Sequence, residues 1–87
     1  MSVAMATLYA VIAVLTALGK RNDVRCALAE KEIKAEPIMG VKLPDGRLAD
    51  LVVQIDAADL AEVERVRRSI AAVPDVEEAI LLGSFTR

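Results

Sequence analysis

The sequence predicts an α+β sandwich of element order β-α-β-β-α-β, and three observations carry that prediction. The uncharged run Thr7-Leu-Tyr-Ala-Val-Ile-Ala-Val-Leu15 is rich in Val, Ile and Leu, which suits a strand covered on both faces. Pro44-Asp-Gly46 lies between two apolar stretches and is a tight-turn signal, since proline pre-sets one turn residue and glycine takes a positive φ. Leu60, Val63, Val66, Ile70 and Val73 step by three or four and stop at Pro74, the stripe of an amphipathic helix.

Taken in order, Met1–Ala6 is expected to be a flexible lead-in to the first strand. Alternation then places Leu8, Ala10, Ile12 and Val14 on one strand face, with Tyr9, Val11, Ala13 and Leu15 on the other. Both faces are apolar. A single sheet backed by two helices covers only one of them, so Tyr9, Val11, Ala13 and Leu15 are expected to meet a second copy, giving a dimer or higher homo-oligomer. The rival reading extends the run to Val3–Leu18 as a membrane segment, with Lys20 and Arg21 at the headgroups. A bilayer core needs roughly 20 apolar residues in a helix, and this run is short and Ala-rich. A secretory leader would carry positive charge ahead of the run, where only Met1 and Ser2 stand.

Gly19 breaks the strand, and Asn22 or Asp23 supplies a cap for a first helix reaching about Glu36. Its stripe is Val24, Ala27, Leu28 and Lys31, with Cys26, Ala29 and Ile33 alongside, and Pro37 ends it. Ile38–Leu43 and Leu48–Asp56 then form a hairpin about the Pro-Asp-Gly turn, with Leu51, Val53 and Ile55 on the core side. Asp59 and Glu62 have capping-box spacing at the start of the second helix. Acidic residues precede basic ones along that helix, as its dipole favours, and Glu64 can pair with Arg68. Val76–Phe85 is the last strand, with Val76, Glu78, Ile80 and Leu82 alternating against Glu77, Ala79 and Leu81. Right-handed crossovers in both halves set the first and third strands in the middle of a four-stranded antiparallel sheet with two helices on one face, the ferredoxin-like arrangement.

The chain of 87 residues reads as a single domain, 1–87, at a size where oligomerisation adds useful burial. One Tyr, one Phe and no Trp leave the core to aliphatic side chains, and the net charge of −2 argues against nucleic acid as a partner. The same few aromatics make RNA binding across the central strands a poor fit. No His is present, which excludes His-based acid–base catalysis and His metal sites. The lone Cys26 forms no intrachain disulfide, fits a reducing, cytoplasmic setting, and is expected to pack as a small hydrophobe. Arg65, Arg67 and Arg68 offer a possible contact for an anion or acidic partner, although such runs are commonly a solvated helix face. No catalytic residue, metal ligand or cofactor is expected.

Within residues 50–82, an apolar strand is followed by Asp-Leu-Ala-Glu-Val-Glu-Arg-Val and then by Val73-Pro-Asp-Val76 leading into a strand. This rhythm resembles the end of ACT-type regulatory modules, a resemblance that implies a ferredoxin-like domain sensing a small ligand. Leu18-Gly-Lys-Arg-Asn-Asp23 departs from the ACT pattern where those domains often hold an amino acid. The element order is also similar to the small chaperones that bind the twin-arginine signal peptide of periplasmic nitrate reductase, which implies peptide binding. The expected role is a non-enzymatic accessory or regulatory module that self-associates through its sheet and binds a peptide or protein. An ACT-like ligand sensor and a small membrane-anchored subunit are the alternatives.

Overall fold

The computed structural model describes residues 8–39 and 41–86; the lead-in expected at Met1–Ala6 lies outside them. The elements are β1 (Leu8–Thr16), α1 (Arg21–Glu30), β2 (Ala35–Pro37), β3 (Leu51–Ala57), α2 (Leu60–Ala71) and β4 (Val76–Thr86). The four strands form one antiparallel sheet in the order β2-β3-β1-β4, so β1 and β3 are central and the arrangement is ferredoxin-like. The apolar run of residues 8–16 is therefore a strand, and no helix among the described residues is long and apolar enough to cross a membrane.

The two faces of β1 separate as its alternation requires. Ile12 and Val14 pack with Leu51 and Val53 of β3 against Val24 and Leu28 of α1 and against Ile70 of α2 and Val73 just beyond it. Ala10 joins Ala57 and Val63 at the other end of the same layer. Antiparallel partners share a face, so the register Ile12↔Val53 and Val14↔Leu51 puts both central strands' large residues under the helices.

Helix α2 starts as its sequence foretells. Asp59 accepts from the Glu62 amide at 2.9 Å, and Glu62 Oε1 reaches back to the Ala58 amide at 2.7 Å. Val63, Ile70 and Val73 are buried, whereas Leu60, in the first turn, is exposed because the core lies beyond its reach.

Helix α1 differs from expectation at both ends. It begins at Arg21, with Lys20 at the cap and no side-chain capping bond, so neither Asn22 nor Asp23 caps it. It ends at Glu30, well short of Pro37, because Glu32 adopts φ 62° and closes a Schellman motif: the Ile33 amide donates to Leu28 O and the Glu32 amide to Ala29 O. Ile33 then packs on the core beside Leu28. The shorter helix leaves Lys31 outside the stripe. Cys26 is exposed rather than packed, since two residues from Val24 is nearly the opposite side of a helix.

The hairpin is also redistributed. The strand that pairs with β3 is Ala35–Pro37, not residues 38–43, and the returning strand starts at Leu51. Residues 38–39 and 41–49 leave the sheet edge and lie over its helix-free face. Their turn at Pro44-Asp-Gly46 persists, with Gly46 at φ 91°, closed by the bridge Lys42↔Leu48. Leu43 and Ala49 of this flap bury Ala13 and Leu15.

Strand β4 does not alternate simply. Register shifts lie between Leu15 and Thr16 and between Val11 and Ile12, so Glu77 and Leu82 are extra residues with no partner on β1. Each bulge moves the following residues to the other face. Ala79 therefore joins the helix-side core, and Ile80 packs under the flap.

Candidate functional site

Two regions could meet another molecule: the sheet surface around β4 and a cleft at the end of β1. The residues expected to form a self-association face are divided by the flap. Ala13 and Leu15 are 0% and 3% exposed beneath the chain's own Leu43 and Ala49, whereas Tyr9 and Val11 remain half-buried at the uncovered end. There Tyr9 lies opposite Phe85, their rings stacked with centroids 6.3 Å apart. Phe85 also folds back over Gly83, so that a Cβ at Gly83 would stand 3.2 Å from its Cζ. Phe85 nevertheless stays 58% exposed; on the same strand Leu82, at the bulge, and Leu81, opposite Ile12 on the helix side, are exposed too. The sequence reading ends the strand at Phe85 and does not single out these exposed side chains. The Gly83 to Phe85 spacing, a bare backbone position two residues from an aromatic, was the available signal.

The cleft has a volume of about 580 Å³ and is lined by the loop after β1, the start of α1, Leu48 of the flap, Asp50 and Glu77. Gly19, at φ 77°, lets the chain turn from β1 into α1, with the Lys20 amide donating to Ala17 O at 2.9 Å. Asp50 fixes the cleft's inner wall. Its Oδ2 accepts from both the amide (2.9 Å) and the hydroxyl (3.0 Å) of Thr16, the one buried polar residue among those described. Arg21 and Asn22 of α1 line the same cleft as Asp50 and Glu77. The cleft thus offers a cation, an amide and acidic groups side by side.

The three arginines do not form one patch. Arg67 and Arg68 both grip Glu64, and Arg67 also donates to Ala79 O at 3.0 Å, tying α2 to β4. Arg65 lies apart, in a shallow groove with Lys31 and Ser69. Hydrogen bonds from Arg67 and then Arg68 hold the Glu64 carboxyl down from 4.5 to about 2. A lowered pKa means that Glu64 contributes stability in full above 4.5 and loses it as pH falls towards 2. Denaturation midpoints of the wild type and Glu64→Gln should therefore differ at neutral pH and converge across that acid window. The difference should be modest, and smaller in high salt, because the pairs are partly solvated.

A second ion pair fastens the flap. Arg47, held by Asp45 at 2.7 Å within the turn, reaches Glu78 of β4 at 2.6 Å. Among the described residues no group of His, Cys, Asp or Glu is arranged to hold a metal ion. Comparison of the chain with protein-family models and with curated proteins finds no match.

Proposed function

We propose that this protein is a non-enzymatic accessory or regulatory module that self-associates through its sheet and takes up a peptide or protein partner. The observation that supports this reading is the apolar stretch of β4: Phe85 is exposed beside half-buried Tyr9 on the helix-free face, Leu81, opposite Ile12, is exposed on the helix side, and Leu82 is exposed at the bulge between them. An exposed strand edge can add a further strand through main-chain hydrogen bonds, with apolar side chains supplying affinity. Among the described residues, Asp45, Asp59, Glu62 and Glu78, by contrast, are committed to ion pairs, a helix start and a turn. The mass of the purified full-length chain, measured in solution without detergent, tests the proposal. A mass above that of one chain is expected, and one chain mass at every concentration would overturn the self-association.

The cleft favours a second reading, a small-ligand sensor. Its mixture of Arg21, Asn22 and Glu77 suits a zwitterionic or polar ligand rather than an apolar one. A thermal-shift screen with amino acids and nucleotides distinguishes the two: a saturable rise in Tm that Arg21→Ala removes would favour the sensor.

A further inference from the structure

We infer that two copies of the chain associate edge to edge, β4 against β4 in antiparallel, to build a continuous eight-stranded sheet. The inference rests on the self-association proposed above and names its surface. The inner side of β4 is paired with β1 along nearly its whole length, from Leu8↔Thr86 to Thr16↔Val76. Its outer side pairs with no described strand.

Sheet edges are normally protected against such pairing, and the two edges of this sheet differ in that respect. β2 has three residues, carries Pro37, and is flanked by the exposed Lys34–Glu36 ion pair. β4 has eleven residues and contains neither proline nor lysine; of the devices that blunt an edge it has only the two bulges at Glu77 and Leu82 and the acidic pair at its start. Residues 79–85, Ala-Ile-Leu-Leu-Gly-Ser-Phe, are wholly uncharged. The bulge at Leu82 leaves that side chain without a β1 partner and 45% exposed in the middle of the run.

The occupant that fits is a second copy, because the charge on the strand is one-sided. Glu77 and Glu78 stand at the start of β4, and the run after them is neutral. A two-fold axis near Leu82 sets each copy's acidic pair at the far end from the other's and lays one uncharged run along the other. A parallel pairing would stack Glu77 on Glu77, where like charges directly opposite are destabilising. Glu78 is moreover neutralised by Arg47.

The test compares the wild type, Leu82→Lys and Val11→Glu as full chains, by light-scattering mass over a concentration series, with circular dichroism to confirm the fold. The expected result is a wild-type dimer, loss of the dimer in Leu82→Lys, and its retention in Val11→Glu. Amides of residues 80–84 should also exchange more slowly in concentrated than in dilute wild-type protein. Loss of the dimer in Val11→Glu with retention in Leu82→Lys would overturn the edge pairing while leaving self-association through the sheet face intact. A wild type of one chain mass at all concentrations would overturn both.

Discussion

Ile12→Ala should lower the free energy of unfolding by about 2–5 kcal/mol, while Val11→Ala, one residue away, costs far less. Ile12 is fully buried at the centre of the main core, on a strand with neighbours on both sides, and it meets residues from both helices and β3. Truncation to alanine removes its transfer free energy and leaves a cavity that β1, paired to β3 and β4, cannot collapse to fill. Domains of this size have only about 5–15 kcal/mol of total stability, so the change is a large fraction of it. At roughly 4–8 °C per kcal/mol, Tm should fall by about 8 °C or more. Val11 lies on the opposite face, half-buried and outside the core clusters. Urea unfolding checks the pair: the midpoint should fall steeply for Ile12→Ala with the slope unchanged. A larger effect at Val11 than at Ile12 would mean that the register of β1 is wrong by one residue.

That contrast was legible in the sequence because it depends only on alternation within one uninterrupted run. Helix α2 was legible for a similar reason: its stripe, its Asp59 cap and Pro74 are all local and agree with one another. The middle of the chain was not. Ile38, Val41 and Leu43 have the composition of a strand, but the side chains of Ile38 and Leu43 serve the helix-free face of the sheet instead of a ladder. Nothing in residues 38–43 distinguishes lying in a sheet from lying over one. The early stop of α1 was hidden because a glutamate, not a glycine, occupies the left-handed position of its Schellman motif. Bulges at Glu77 and Leu82 broke the alternation of β4, and an extra residue leaves no compositional mark. These three misreadings all affected the candidate site: they concealed the flap that covers Ala13 and Leu15, the exposed edge at Leu82, and the cleft between the flap and α1.

Asp50→Ala should be the most damaging change outside the apolar core, lowering stability by about 2–4 kcal/mol, with Asp50→Asn milder. The single oxygen Oδ2 satisfies two donors of Thr16, its amide and its hydroxyl, and Thr16 is 9% exposed. Alanine would orphan both, and a buried donor without a partner costs about 1–3 kcal/mol. The main chain of residue 50 has a further part: its amide donates to Val14 O and its carbonyl accepts from Ile38, so this residue joins the end of β1 to both ends of the flap. Loosening it should free the flap as well as the strand. Asparagine keeps a carbonyl oxygen that can accept from Thr16 and loses only the strength that the carboxylate's charge adds. Hydrogen exchange provides the local check, with the Thr16 and Ile38 amides losing protection in Asp50→Ala while those of α2 follow only the global change. If the alanine variant were as stable as the asparagine one, with Thr16 still protected, water would be replacing the carboxylate, and the wall of the cleft would be open to solvent rather than built by Asp50.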